Sequence, residues 1–276
     1  MRSSRIPQTG EVFDAAARDH GAAASLLWDP LGEAYVERVR PAPGERVLDA
    51  CCGAGASAIA AGRAVGAAGR VDAVDLAEGL VELGRRRAAA ERLEQVRFQV
   101  ADVVEWSAPR PYDLVLCGYG IFFLPDMDAS ARRLAGLLRP GGRFSVATWA
   151  EGALEEFGAA LFRSLGAGRP GGAAGQDERE EPPARGASLR INTEETLGEW
   201  AEGLGLRDVS VHRIDRRVPL TRDNAWDLVL GSGFRATVLD LDEQAVGRVR
   251  DRFLETLDAE NIGALDASSL VAVGTV

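Results

Sequence analysis

The residues with the clearest chemical potential lie in one short segment, VLDACCGAGASAIAAG at positions 47–62. Asp49 ends an apolar run, and Gly53 and Gly55 lead directly into an alanine-rich helical pattern. Glycines at such a turn allow positive φ and let a ligand approach the backbone, and the helix start offers unpaired N–H groups. The segment therefore predicts a loop that binds a nucleotide-like cofactor.

Two cofactors fit this loop. Gly53 to Ala58 match the G-x-G-x-x-A fingerprint of a dinucleotide site, and Asp75 lies 20 residues beyond Gly55, where a ribose-binding acid is expected. S-adenosylmethionine (SAM) also carries a ribose, so Asp75 suits either ligand. The loop alone leaves a nicotinamide dinucleotide and SAM as alternatives.

Four further features favour SAM. Asp49 puts a negative charge beside the position where a dinucleotide would hold its pyrophosphate. Asp102 follows the apolar run VRFQV and suits the amino group of an adenine. The segment PYDLVLCGYGIFFLPDM (111–127) ends an apolar run in small residues, and LLRPGGRFSVATW (137–149) supplies a helix end, a turn and another strand.

Together these features resemble the class I SAM-dependent methyltransferases, in the small-molecule branch similar to the ubiquinone/menaquinone C-methyltransferases and natural-product tailoring methyltransferases. The resemblance covers residues 10–150 well and 192–216 more loosely. The family motif VLDxGCGTG is matched at Asp49, Gly53 and Gly55, whereas Cys51 replaces its first glycine. A cysteine fits the motif there on the condition that residue 51 keeps φ below zero.

The resemblance also implies roles for individual residues. Asp75 would bind the ribose and Leu76 would pack near the adenine, whose edge Asp102 and Val103 would hold. The carbonyl of Cys117 would face the methionine amino group. The cofactor-binding residues implied in this way are Asp49, Cys51, Gly53, Gly55, Asp75, Leu76, Asp102, Val103 and Cys117.

Because a sulfonium methyl group is already reactive, positioning supplies most of the catalysis, and a base is needed only if the acceptor loses a proton. His20 and Tyr119 are the candidate catalytic residues. His20 has three open interpretations, as a base, as a cofactor contact or as a surface residue.

Aromatic residues gather in the segments that should line the acceptor site. Tyr119 and Trp149 follow predicted strand ends, where α/β sheets bind their ligands. The predicted pocket also contains Trp28, Phe122, Phe123 and Phe234, and Trp226 is a further aromatic of the same region. Such a lining predicts a flat, apolar or aromatic acceptor, with an indole-type natural product or a quinone as possible examples.

Short apolar runs alternate with helical patterns through the first 150 residues. Alternation of this kind predicts βαβ units and a parallel sheet with helices on both faces. The expected strands are 46–50, 70–75, 96–100, 113–118 and 143–149, and the expected helices are 56–67, 77–92 and 128–138. The fold class predicted is α/β, a doubly wound, mostly parallel seven-stranded sheet with helical lid elements.

The second half is less regular. A helix over 152–165 is followed by a Gly- and Pro-rich loop at 165–188 and by a helix over 193–205, for which Asn192 and Glu195 suggest a capping pair. Residues 207–220 alternate like one edge strand, 223–258 read as helical, and 269–276 read as the last strand. The expected parts of a single domain are 1–42 (helical cap), 43–150 (cofactor core), 151–191 (lid or flexible insertion) and 192–276 (end of the sheet, with a helical insertion at 222–262).

Composition excludes several classes of protein. All 32 basic residues are arginine, which removes Schiff-base, P-loop and Tyr-x-x-x-Lys chemistry and indicates a high-GC bacterial coding bias. Three cysteines without a C-x-x-C pair and two histidines predict no metal site. A net charge of −10 argues against nucleic-acid or anionic membrane partners.

The one run of three basic residues, Arg85 to Arg87, is interpreted as an exposed helix face. The chain has no run of about 18 apolar residues and no apolar leader, so a cytoplasmic protein is expected. The expected partner is a small-molecule acceptor, and the expected state is a monomer or homodimer. The alternative functions are a nicotinamide-dependent oxidoreductase, an RNA methyltransferase and a non-catalytic SAM-binding protein.

Overall fold

The computed structural model describes residues 9–166 and 183–276. The strands in this part of the chain are β1 Arg46–Ala50, β2 Arg70–Asp75, β3 Val96–Val100, β4 Tyr112–Gly118, β5 Leu138–Trp149, β6 Arg207–Ile214, β7 Arg217–Pro219, β8 Ala264–Asp266 and β9 Ser269–Thr275. Seven of them form one sheet in the order β3-β2-β1-β4-β5-β9-β6. The first five are parallel, and β9 runs antiparallel to both of its neighbours.

Helices cover both faces of this sheet. The α-helices are α1 Thr9–Ala16, α2 His20–Ala23, α3 Asp29–Val39, α4 Ala56–Val65, α5 Glu78–Ala90, α6 Met127–Ala135, α7 Glu155–Gly166, α8 Pro183–Leu189, α9 Glu194–Gly203, α10 Arg222–Leu230 and α11 Glu243–Ala259. A π-helix, Ala24–Trp28, joins α2 to α3, and 3-10 turns occupy Ile121–Phe123 and Gly233–Thr237. The predicted doubly wound, mostly parallel sheet is confirmed.

The central strands are nearly continuous apolar runs because both of their faces are buried. In β1, Val47 packs into a core with α3, α4, α10 and α11, whereas Leu48 packs into a second core with α6 and α9. Leu114 and Val115 of β4 divide between the same two cores. The carboxyl ends of β1 and β4 therefore lie side by side between the two cores. The polar residues of the candidate site follow these strand ends.

Several boundaries differ from the expectations. Residues 207–220 do not form one strand, because the ladder with β9 ends at Ile214 and resumes as a separate β7–β8 pair. The side chain of Asp266 accepts a hydrogen bond from Ser268 N–H, which turns the chain between β8 and β9. The predicted last strand lies inside the sheet, between β5 and β6.

The helical predictions of the second half also need correction. Residues 223–258 split into α10, a 3-10 turn and α11, which begins at the cap Asp242. Asn192 does not cap α9; Thr193 does, since its hydroxyl accepts from Thr196 N–H and the Thr196 side chain returns the bond. Of the predicted 165–188 loop, residues 167–182 lie outside the described residues, and 183–189 form α8. Within the described ranges, no helix is long and apolar enough to cross a membrane.

Candidate active site

The glycine loop connects β1 to α4 at the carboxyl edge of the sheet. Gly53 and Gly55 have φ of 52° and 84°, which few side chains tolerate. A Cβ at Gly55 would lie 2.4 Å from the ring of Phe98, so the β3 side chain packs directly under the loop. The N–H of Gly53 donates to the Asp75 carboxylate at 2.8 Å. The loop is therefore fixed by the ends of β2 and β3.

Cys51 contradicts the expectation of a negative φ. Its φ is 58°, as a glycine at this position of the family motif would allow. A Cβ on Gly120 would lie 2.4 Å from the Cβ of Cys51, so the left-handed cysteine requires a glycine opposite it. Tyr119, directly after β4, is also left-handed, with φ of 57°. Two strained residues thus flank the edge at which an α/β sheet binds its ligand.

Asp49 is fully buried at the end of β1. One carboxylate oxygen accepts from the Ser57 hydroxyl at 2.7 Å, whereas Oδ1 has no hydrogen-bond partner among the described residues. Burial raises the pKa of Asp49 to about 7, with the charge of Asp75 adding to the rise and the Ser57 hydrogen bond opposing it. A buried carboxylate oxygen without a partner is costly, and a cationic ligand would satisfy it.

The predicted adenosine-binding residues lie along the neighbouring strand ends. Asp75 accepts from the N–H groups of Gly53 and Ala77, at 2.8 and 2.9 Å, and burial raises its pKa. Leu76 is 53% exposed, a large apolar surface suited to a flat ring. Asp102 is exposed and Val103 is buried in the second core.

Cys117 is buried at the end of β4, beside the glycine loop. Its N–H donates to the hydroxyl of Tyr35, which donates to the Ser145 carbonyl at 2.9 Å. A hydrogen bond with Cys117, together with burial, raises the pKa of the Cys51 thiol well above its ordinary value. Cys51 is therefore protonated at neutral pH, which favours a packing role over a nucleophilic one. Tyr35, whose hydroxyl joins β4 to β5, escaped the sequence analysis.

Three of the predicted pocket residues come together as one group. The ring centroids of Tyr119 and Trp149 are 4.6 Å apart, and Trp28 lies 6.1 Å from each of them. Trp28 Nε1 donates to the carbonyl of Gly231 at 3.0 Å, which ties the group to the end of α10. Burial raises the pKa of the Tyr119 hydroxyl well above its ordinary value, so this group stays protonated and can donate a hydrogen bond but not act as a base.

Two of the remaining predicted aromatics form a second group. Phe122 and Phe123 are 4.9 Å apart, and Phe13, which the sequence analysis missed, meets Phe123 edge-on at 5.3 Å. Phe234 packs on Phe157 instead, at 5.4 Å, in the 3-10 turn beside this group. Trp226 is a core residue of α10.

His20 begins α2 and is only 8% exposed, so its interpretation as a surface residue is wrong. Burial lowers the pKa of His20 to about 4; the positive charge of Arg87 acts in the same direction and Asp29 opposes it. The imidazole is therefore uncharged at neutral pH. The π-helix connects His20 to Trp28, and π-helical turns are frequent at functional sites.

The interpretation of Arg85 to Arg87 as one exposed face is wrong for Arg87. Its guanidinium donates to the Ala54 carbonyl in the glycine loop at 2.9 Å and to Asp29 at 2.5 Å. Arg86 does lie on the exposed face. The sequence offered no signal that separates these neighbours, because the partners of Arg87 are distant along the chain. Among residues 9–166 and 183–276, no cluster of metal-ligating side chains occurs.

Comparison with known proteins agrees with this geometry. Residues 47–142 match the family model described as a methyltransferase domain. The chain is 34% identical over 144 residues to aklanonic acid methyltransferase DauC from Streptomyces sp. (strain C5), which is 52% of this chain and 66% of that protein. It is 28% identical over 148 residues to demethylmenaquinone methyltransferase from Halalkalibacterium halodurans, 52% of this chain and 60% of that protein.

Nocamycin O-methyltransferase from Saccharothrix syringae is 33% identical over 136 residues, 49% of each chain. The chain thus spans between 49% and 66% of the length of these curated relatives.

Two solved structures share the fold at 17% sequence identity. The cyclase SpnF has a TM-score of 0.60 over 98% of this chain and 97% of its own, and YcgJ from Bacillus subtilis has 0.56 over 88% and 97%. These likenesses show the architecture alone. The domain match and the acid and glycine positions of the loop agree, so residues 47–142 form a methyltransferase domain.

Proposed function

We propose that this protein transfers the methyl group of SAM to a small, flat, apolar or aromatic acceptor. The observation that carries the proposal is the buried, unpaired oxygen of Asp49 beside the glycine loop. SAM brings an ammonium and a sulfonium cation, which such an oxygen attracts, whereas the pyrophosphate of a dinucleotide would be repelled.

The residues around the loop fit the other parts of SAM. In this proposal Asp75 binds the ribose hydroxyls, Leu76 covers one face of the adenine, and Asp102 and Val103 meet its edge. Gly53 and Gly55 keep the loop backbone open, and the left-handed Cys51 takes the place of a third glycine. The Cys117 carbonyl faces the methionine amino group.

The acceptor site in this proposal is the aromatic group of Trp28, Tyr119 and Trp149, extended by Phe122, Phe123 and Phe234. No charged side chain belongs to this set, which favours an uncharged acceptor. The names of the relatives point to quinone and natural-product acceptors, and we extend that class to this chain. The acceptor atom is carbon, nitrogen or oxygen.

SAM supplies an electrophilic methyl group when it is bound. The protein's part is to hold the acceptor in line with the methyl group and to keep water out. Where the acceptor must lose a proton, His20 accepts it, since the imidazole is uncharged at neutral pH. Tyr119 acts as a hydrogen-bond donor in this proposal.

Calorimetric titration tests the cofactor. We expect S-adenosylhomocysteine (SAH) to bind with micromolar affinity and NADH to give no heat of binding. Binding of NADH without SAH would reject the proposal in favour of a nicotinamide-dependent oxidoreductase, an alternative for which the comparisons give no support. An RNA methyltransferase or a non-catalytic SAM-binding protein would bind SAH but leave every small aromatic acceptor unmethylated.

The role of Asp75 gives a sharper test. Asp75→Ala is expected to weaken SAH binding by about tenfold or more, because charge-assisted hydrogen bonds to the ribose are lost. Asp126→Ala is the matched control, since the Asp126 side chain accepts from Ala129 N–H as the cap of α6 and not from the loop. Equal SAH affinities for the two variants, both folded by circular dichroism, would place the ribose elsewhere.

We also propose that the four predicted parts act as one methyltransferase domain, working in the cytoplasm as a monomer or homodimer. The acidic composition, with a net charge of −10, supports the absence of nucleic-acid partners. Light scattering measures the mass directly, and a species larger than a dimer would reject this assignment.

A further inference from the structure

Arg87 hydrogen-bonds both to the cofactor loop and to the end of the segment that carries the candidate base. It projects from α5, the helix after β2. One guanidinium nitrogen donates to the carbonyl of Ala54, between the two loop glycines, at 2.9 Å. Another donates to Asp29, the first residue of α3, at 2.5 Å. The side chain of Arg87 is 29% exposed, so this ion pair is partly shielded from water.

The segment from His20 to Asp29 is short and unusual. It consists of the four-residue α2 and the π-helix, which continue without a break into α3, so His20 and Asp29 lie on one helical run. Its far end is anchored by backbone packing, because a Cβ on Gly32 would lie 2.6 Å from the backbone of Ala56. Arg87 adds a hydrogen-bonded anchor on the side that faces the loop.

The charges around His20 come from few groups. Arg87 and Asp29 act on the imidazole in opposite directions. Asp19, which precedes His20, forms an ion pair with Arg235 of the 3-10 turn, and Arg216 donates to the carbonyl of Leu26. After burial, the charge of Arg87 is the largest influence that opposes protonation of His20.

We propose that Arg87 is a positioning residue for methyl transfer: it joins the segment that carries His20 to the cofactor loop and places a positive charge near the imidazole. This inference rests on the proposed function. Arg87 touches neither the acceptor nor the methyl group in this scheme; it acts through Ala54, Asp29 and His20.

The proton balance shows why an uncharged imidazole is required. As the acceptor atom bonds to the methyl carbon, the S–CH₃ bond breaks and its electron pair stays on sulfur. The proton lost by the acceptor goes to the His20 imidazole, which then releases it to water. A His20 that was already protonated could not accept this proton.

The chain suits a direct test, because it has only two histidines. In an NMR titration of the histidine ring signals, Arg87→Met is expected to raise the midpoint of His20 by about one pH unit or more. The cause is the loss of a nearby positive charge together with easier entry of water. His212, on β6, is the internal control, and its ring signals should be the same in both proteins at each pH.

Arg86→Met is the matched control variant. Arg86 is the neighbouring residue on α5, its side chain is 67% exposed, and its ion pair is with Glu82 of the same helix. It should leave the His20 midpoint unchanged. Arg87→Lys keeps the positive charge but loses the simultaneous contact with Ala54 and Asp29. The titration midpoint of His20 should therefore stay close to its low wild-type position. If Arg87→Met does not fold, Asp29→Asn should move the midpoint in the opposite direction, downward.

Activity supplies a second readout. The acid limb of kcat/KM should move to higher pH in Arg87→Met in step with the His20 midpoint, and Arg86→Met should match the wild type. If the midpoint and the limb are the same in Arg87→Met as in the wild type while SAH binds normally, the inference is wrong and the proposed function stands. If the wild type fails to bind SAH, the proposed function fails, and the NMR titration still decides whether Arg87 controls His20.

Discussion

Asp49→Asn is expected to weaken SAH binding at pH 8 by about tenfold or more and to remove most of its pH dependence. In the wild type the buried carboxyl has a pKa of about 7, so at pH 6 roughly nine-tenths of it is protonated and at pH 8 roughly nine-tenths is ionised. Only the ionised form attracts the ammonium group of the ligand. Affinity should therefore rise about tenfold between these pH values, with a proton released on binding at the lower pH.

The same substitution has the opposite effect on the stability of the unliganded protein. Since the folded-state pKa of Asp49 is raised from 3.8 to about 7, the folded protein binds the extra proton between these values. The stability that the protonated carboxyl contributes is present below pH 3.8 and is lost as the pH rises through 7. At about 1.4 kcal/mol for each pH unit, the loss is about 4 kcal/mol.

Asparagine does not titrate, so Asp49→Asn should match the wild type in free energy of unfolding at pH 4 and exceed it at pH 8. Denaturant titrations at both pH values, with and without SAH, measure both effects. The charged or titratable groups that bear on Asp49 are Asp75, Tyr35 and Cys52, and any pH dependence left in the variant is assigned to Asp75. A variant that binds SAH as tightly as the wild type at pH 8 would show that Asp49 does not face the cofactor.

Gly55→Ala is expected to destabilise the fold by about 2 to 5 kcal/mol and to abolish SAH binding. A left-handed alanine costs about 1 to 2 kcal/mol, and the 2.4 Å approach to the Phe98 ring adds an overpacking cost of about 1 to 3 kcal/mol. Because Phe98 is held between the loop and Gly84 of α5, it has little room to move away.

Gly44→Ala separates the two costs. Gly44 has φ of 85°, against 84° at Gly55, and nothing lies within 4 Å of the position of its Cβ. Gly44→Ala should lower the free energy of unfolding by about 1 to 2 kcal/mol, the cost of the left-handed backbone alone, and should bind SAH normally. Phe98→Leu combined with Gly55→Ala should be less destabilised than the two single changes predict. If Gly44→Ala and Gly55→Ala lowered the free energy of unfolding equally, the ring of Phe98 would not pack under the loop.

Most of the parallel half of the sheet could be predicted from the sequence: the bounds of β1, β2 and β3 match the expectations, whereas β5 begins at Leu138 and not at residue 143. Strands buried on both faces are short continuous apolar runs, and glycines and prolines mark their ends, so local composition is sufficient. The pairing of β7 with β8, and the place of β9 inside the sheet, depend on contacts between distant segments. No local pattern distinguishes an edge strand from an interior strand when both alternate weakly.

The candidate site also contains residues that the sequence could identify and residues that it could not. Asp49, Gly53, Gly55 and Asp75 were identified because a motif with fixed spacing carries them. Tyr35 and Arg87 were missed, since their partners lie 82 and 33 residues away along the chain. The condition that Cys51 keep a negative φ is not met, because the conformation belongs to the turn and the turn keeps it whichever residue type occupies the position.

The position of β9 has a consequence for biosynthesis. Residues 269–275 pair with β5 on one side and β6 on the other, so strand β6 has no partner in the main sheet until they have left the ribosome. During that interval the hydrogen-bonding edge of β5 is open, and open edges recruit other chains. The order of translation therefore differs from the order of assembly, and pairing of β9 with β5 closes this edge.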